Sequence, residues 1–261
     1  MYKPLSDADV LAWIADDAAA LADAAEDRGP VAVPSCPGWD VSELLAHVGG
    51  FFAGWYLYNL THDPASGDLM AAASSAPPMP ELHADRVRYF REGATAFAAA
   101  ADDADLDATV WAFGSTAPAR YWIHRAASEV AVHRWDVEDG LGRSYRLPTS
   151  RATMSFHETV CGLWPEIPWL MAQFQPDVAM ELPTESLGLT ATDGDASWLA
   201  RPERGGIEVR PVAEPTGDVQ VVGTAHDLVM WLWGRGVDGD VAIEGNRELA
   251  RAWNMTDRAG L

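Results

Sequence analysis

Apolar residues recur at three- and four-residue intervals over residues 6–27, which predicts a first helix capped by Ser6 or Asp7 and ended by Gly29-Pro30. A second helix begins at Asp40. Its side chain is placed to accept the backbone N–H of Glu43, and Glu43 to reach back, as in a capping box; Trp39 and Leu44 fall at the positions of a hydrophobic staple. This helix is expected to run to about Leu60, with Leu44, Val48, Phe51, Phe52 and Trp55 on its core face. Residues 61–79, with Asp63-Pro64, Ser66-Gly67 and Pro77-Pro78, read as a loop. Further helices are predicted over 80–102, over 118–141 with Pro118 in the first turn and Gly140 or Gly142 at the exit, and over 149–163 with Pro165 and Pro168 bounding the end.

The period shortens after about residue 178. Ser186–Thr192, Ser197–Arg201, Gly206–Val212 and Asp218–Gly223 read as short strands separated by Asp193-Gly194-Asp195, Gly205-Gly206 and Pro215-Thr216-Gly217. A helix over Ala225–Arg235 closed by Gly234 or Gly236, a strand at Val241–Ile243 and a helix at Asn246–Trp253 complete the chain. Helices first and strands afterwards predict an α+β protein of two domains: a helical bundle over 1–175 and a smaller α+β domain over 176–261.

A net charge of −21 argues against partners that demand a positive face, namely nucleic acid and anionic membrane surfaces. The two cysteines, Cys36 and Cys161, form no disulfide framework and no Cys-x-x-Cys pair. No basic stretch followed by an apolar run opens the chain, and no apolar run approaches the ~20 residues that span a bilayer. The expectation is a cytoplasmic protein, a monomer or small homo-oligomer.

Candidate chemistry concentrates in two segments. Glu129 and His133 are four apart on a predicted helix and share a face; His47, on another helix, could complete a set of three N/O ligands, the pattern of a catalytic divalent metal with an open position. The plainer alternatives are a solvated acid–histidine contact and a hydrogen-bonded core histidine. His124 lies nine residues before His133, half a turn off at ~100° per residue, and is expected to point away. Arg125, Trp122 and Asp136 share the ligand face: Asp136 could accept the second ring N–H of His133, and Arg125 could hold a substrate carboxylate. Trp39, Trp55 and Trp122 are candidates to line a pocket. Cys36, in a turn before a helix, reads as a buried turn cysteine before a nucleophile, and Cys161 as core.

The segment Pro34-Ser35-Cys36-Pro37-Gly38-Trp39-Asp40 through His47 to Trp55 closely resembles the first signature of the mycothiol-dependent maleylpyruvate isomerase family. Glu129 to Glu138 resembles its second signature, and Gly223–Arg235 with Ile243–Asn246 its C-terminal domain. The resemblance implies a DinB-like up-and-down four-helix bundle followed by a small domain similar to sterol carrier proteins. It also implies a divalent metal, usually zinc, held by the residues at His47, Glu129 and His133, and an arginine at Arg235 able to approach the site.

The expected chemistry is a metal-activated thiolate, with mycothiol as cosubstrate, adding to an electron-poor carbon of a small molecule. Expulsion of the thiol after bond rotation makes an isomerase; retention of the adduct makes an S-transferase. Two other readings stay open on this scaffold: a metal-dependent hydrolase, cyclase or lyase, and a protein that binds a small ligand without catalysis.

Overall fold

A computed structural model describes residues 4–62, 69–174, 176–177, 182–194, 196–203, 206–236 and 239–254. The predicted turns at Asp63-Pro64 and Ser66-Gly67, together with Asp195 and Gly205, lie outside the described residues. The chain divides into two compact units, with the division between Arg146 and Leu147, ahead of the expected boundary at 175/176.

In the first unit, four helical segments pack as a bundle. Helix α1 (Asp7–Ala25) is capped by Ser6, whose hydroxyl accepts the N–H of Asp9. Helix α2 (Val41–Gly50) starts at the predicted capping box: Asp40 accepts from Glu43 N, and Glu43 Oε2 accepts from Asp40 N, both at 2.9 Å. The same rod continues through a π turn, Phe51–Trp55, into α3 (Tyr56–Thr61). After the short α4 (Leu69–Ala73) come α5 (His83–Asp103), a hairpin of β1 (Thr109–Ala112) and β2 (Ser115–Pro118), and α6 (Arg120–Gly140). Helix α1 packs on α5 and α6, and α2 on the same two. The core is formed by Trp13, Leu44, Val48, Phe52, Phe90, Phe97, Trp122 and Val130, all without exposed surface.

Local chemistry sets the ends of α6. Pro118 belongs to β2, not to the helix, because the hairpin pairs Thr109 with Pro118 before the chain turns. At the other end Gly142, at φ +68°, closes the helix: its N–H bonds Asp139 O at 2.8 Å and the next N–H, of Arg143, bonds Glu138 O at 2.8 Å. The buried carboxylate of Asp17 on α1 accepts from Trp13 Nε1, from Arg134 Nη1 at 2.7 Å and from Tyr145 OH at 3.2 Å, which pins one side of α6 to α1.

In the second unit, α7 (Thr149–His157) runs through a π segment (Glu158–Leu163) and a 3₁₀ turn (Trp164–Glu166) into α8 (Ile167–Phe174). Pro165 and Pro168 therefore do not end the helical rod, because each sits in the first turn of a new segment, where its missing N–H costs nothing. The sheet is β5 (Gly206–Pro211), β4 (Ser197–Glu203), β3 (Leu187–Ala191), β6 (Val219–Gly223) and β7 (Ala242–Glu244), in that spatial order. Among the described residues, only β3 and β6 run parallel. Helices α9 (Ala225–Leu232) and α10 (Arg247–Ala252) complete it. Helix α7 packs on α9, Phe156 meets Trp198 edge-on at 4.5 Å, and Trp233 Nε1 donates to Thr159 Oγ1 at 3.2 Å. These contacts explain why residues 149–174 go with the sheet. No helix among the described residues is long and apolar enough to cross a membrane.

Two outcomes follow. Asp40→Ala removes the side-chain acceptor for the Glu43 N–H and should cost about 1 kcal/mol in urea unfolding; an unchanged midpoint would show that this cap adds nothing. Burial pushes the Cys161 thiol up to about 12, so in the native protein it should resist alkylation at pH 8 and react only after denaturation, read by mass spectrometry.

Candidate metal centre

Helix α6 presents Glu129 and His133 one turn apart, and α2 presents His47 from across the bundle. His47 Nε2 stands 3.3 Å from Glu129 Oε1, and His133 Nε2 stands 3.2 Å from the same oxygen. The three ligand atoms all lie within 4.8 Å of one another. Glu129 and His133 are buried, whereas the side chain of His47 keeps 26% of its surface exposed. The group is therefore reached past His47.

The spacing is compatible with two arrangements. A charged hydrogen bond from imidazole to carboxylate draws in to ~2.7–2.9 Å. Ligand atoms about 2.0–2.1 Å from a tetrahedral ion stand ~3.3 Å apart. Both N···O separations match the second figure while remaining within hydrogen-bond reach. The donor set of two imidazoles and one carboxylate also suits a divalent ion such as zinc.

The surroundings hold each of these groups in place. Arg125 Nη2 donates to Glu129 Oε2 at 2.9 Å, leaving Oε1 for the two histidines. Arg125 is itself buried, and the guanidinium that the sequence offered to a substrate carboxylate is engaged through Nη2 with a candidate ligand. His133 Nδ1–H donates to Asp136 Oδ2 at 2.9 Å, which fixes the tautomer with Nε2 free to ligate. Asp136 is in turn held by the loop before α2: Ser35 Oγ donates to Oδ1 at 2.6 Å, and the Cys36 thiol lies 3.6 Å from Oδ2. Gly38, at φ +88°, permits the turn that brings this loop back to Asp40.

Cys36, His133 and Asp136 also come within 4.8 Å of one another. The 2.9 Å between Nδ1 and Oδ2 is a hydrogen-bond length, however, so this set acts as a buttress for His133. Sequence reasoning found no base beside Cys36; the fold supplies two such neighbours from α6, in Asp136 and His133. Nothing in their spacing along the chain announces this.

The electrostatics agree with the geometry. Burial opposes charge on Glu129, but hydrogen bonds from His133 and His47 and the charges of His133 and Arg125 hold its carboxyl well below the usual carboxylate range. Burial likewise opposes a charged His133, yet Asp136, Cys36 and Glu129 raise it well above the ordinary histidine value. A cation displacing that proton meets a carboxylate that is already ionised.

The remaining candidates separate. Trp39 packs against the His47 ring at 4.9 Å. Trp122 is fully buried with Tyr56 and Phe113, its N–H donating to Trp111 O at 2.8 Å, a packing position. Phe51, which sequence reasoning assigned to the core, is half-buried and meets His47 edge-on at 4.8 Å; its place four residues after His47 is the signal that would have found it. His124 is turned toward Asp7 and Arg120, as the helical arithmetic required. Arg235 lies in the second unit, its guanidinium donating to Trp233 O and standing 5.9 Å over the Trp233 ring.

Residues 14–138 match the family described as mycothiol maleylpyruvate isomerase N-terminal domain, and residues 170–252 match the MDMPI C-terminal domain. Two solved structures are similar to the chain: the mycothiol-dependent maleylpyruvate isomerase and a histidine-to-alanine mutant of it. Each is 17% identical with a TM-score of 0.55, over 92% of this chain and 93% of the other. A comparison with curated protein sequences finds no match.

If the triad holds a metal, His47→Ala and His133→Ala should each abolish stoichiometric uptake of zinc in a competition titration against a chromophoric chelator. Asp136→Asn should keep the site but weaken it by about 10- to 100-fold. Undiminished stoichiometric zinc in His47→Ala would sink the assignment.

Proposed function

The chain belongs to the mycothiol-dependent maleylpyruvate isomerase family, and on that premise we propose that it is a divalent-metal, thiol-dependent enzyme that adds mycothiol to a small electrophile, as an isomerase or as an S-transferase. The observation that carries this reading is the convergence of two imidazole nitrogens on one buried carboxylate oxygen, at 3.3 and 3.2 Å.

His47, Glu129 and His133 would hold the ion, with zinc the best fit to the donor set. When bound, the ion supplies the electrophilic charge that keeps a thiol in its thiolate form near neutral pH. Everything else is done by the chain itself. Asp136 keeps the His133 proton on Nδ1 and the Nε2 lone pair directed at the site. Arg125 fixes the rotamer of Glu129 and compensates its burial, which makes it a positioning residue. Glu129 would also offset part of the ion's charge, leaving it a weaker Lewis acid than an all-histidine set would and a thiolate held there more nucleophilic. Trp39 and Phe51 limit access of water to the His47 edge.

The test is turnover of an activated cis-alkene by the zinc-loaded protein with and without mycothiol. The expected result is dependence on both, with the rate falling to the uncatalysed level when either is left out, and the same loss in Glu129→Gln. Equal turnover without any thiol would overturn the reading in favour of a hydrolytic or lyase chemistry; absence of bound metal and of any turnover would favour a ligand-binding role.

A further inference from the structure

The loop that leads into α2 is tied to itself before it meets anything else. The Cys36 N–H bonds Val33 O at 3.0 Å, the Trp39 N–H bonds Cys36 O at 3.0 Å, and the Val33 N–H bonds Trp39 O at 3.0 Å. Two tight turns thus share Cys36, and the two ends of the segment hold each other. The Val41 N–H bonds Val31 O at 2.9 Å and closes the base. A backbone pinned in this way presents its side chains in fixed directions.

Those side chains reach toward both histidines of the triad. Trp39 lies against the His47 ring, at 4.9 Å between centroids. Ser35 and Cys36 meet Asp136, which has no exposed surface. Asp136 Oδ1 accepts from Ser35 Oγ at 2.6 Å. Its Oδ2 accepts from His133 Nδ1 at 2.9 Å and has the Cys36 thiol at 3.6 Å.

A carboxylate held at one oxygen can still turn about its Cβ–Cγ bond, which is a soft torsion. Held at both oxygens by donors from different segments, it cannot. Of the two loop donors the hydroxyl is the stronger, because O–H to a carboxylate is a short, charge-assisted bond and S–H donates weakly. The direction of Oδ2, and with it the direction of the His133 ring, therefore depends on Ser35. The nitrogen that faces Glu129 lies across that ring from Nδ1, so a small turn at Asp136 misdirects its lone pair.

Resting on the triad as the metal centre, we propose that Ser35 is a positioning residue for the metal ligand His133: through Asp136 its hydroxyl aims the Nε2 lone pair, and so sets zinc affinity without meeting the ion. Cys36 assists at the same carboxylate to a lesser degree. Both act from the loop that begins α2, so the helix that supplies His47 also steadies the histidine on α6.

The experiment has two readouts. Zinc affinity is measured by competition with a chromophoric chelator. The His133 ring N–H is followed by NMR in metal-free protein carrying isotope-labelled histidine, and is assigned by its absence from His133→Ala. Ser35→Ala should weaken zinc about three- to tenfold and shift or broaden the ring signal. Ser35→Thr, which keeps the hydroxyl, should restore both. Ser35→Cys, a weaker donor of similar size, serves where the alanine variant fails to fold. Cys36→Ala should weaken zinc by about twofold or less. In an Asp136→Ala background, or Asp136→Asn where the former does not fold, Ser35→Ala should add less than about twofold, because the carboxylate it acts through is gone. An unmoved ring signal in Ser35→Ala would overturn the proposal, even if that variant melts earlier. So would unchanged zinc affinity, or a full effect of Ser35→Ala in the absence of the Asp136 carboxylate. The ring signal needs no metal, so a wild-type protein that takes up no zinc defeats the triad, while the role of Ser35 at His133 is still decided by the spectrum.

Discussion

One buried carboxylate organises the first unit. Glu129 is an ion placed where water cannot solvate it, and such a charge survives only if its partners are close and well aimed. Arg125 takes one oxygen and the two histidines take the other. Three of these four groups sit on α6, but His47 comes from α2, so the compensation is complete only when the two helices are packed in register. The electrostatic requirement of one side chain thereby constrains the placement of two helices.

Helix α6 is held in rotation from both sides. On one face Arg134 reaches the buried Asp17 of α1; on the other, Asp136 is gripped by Ser35 and neighboured by Cys36, from the loop before α2. Adjacent residues His133 and Arg134 thus serve opposite networks. Turning the helix to improve one would break the other, which is a physical route to a ligand face that needs no metal to be preformed. The preformed spacing of the ligand atoms accords with this. A site of this kind spends little reorganisation on binding, and its stiffness comes from neighbours that never touch the ion.

Much of the fold was legible because its signals are local. Asp40 and Glu43 form the capping box that their spacing predicts, and Ser6 caps α1. The four long helical segments and the strands of the sheet follow the apolar periods closely. The failures share a cause in contacts remote along the chain. The hairpin at 109–118 was missed because its turn, Phe113-Gly114, carries a bulky residue at positive φ where turn chemistry favours Gly, Asn or Asp; ring contacts with Trp55 and Trp122 hold it there. Pro165 and Pro168 look like stops in a linear reading and are first-turn residues in the fold. The grouping of residues 147–174 with the second unit is a separate matter: it depends on α7 packing against α9, and periodicity within 149–163 says nothing about which partner that helix will choose.

By itself the sequence determined which residues could share a face: Glu129 with His133, Arg125 and Asp136 beside them, His124 turned away. Helical geometry makes those relations independent of everything else in the chain. Only the tertiary structure decided what that face meets. It brought His47 across 82 residues to the same oxygen, assigned Arg125 to Glu129, set Ser35 and Cys36 against Asp136, and packed Trp39 and Phe51 against the His47 ring. The reason is that a side chain's direction on its own helix is fixed by backbone geometry, whereas its partner across the bundle is fixed by how several apolar faces are buried at once.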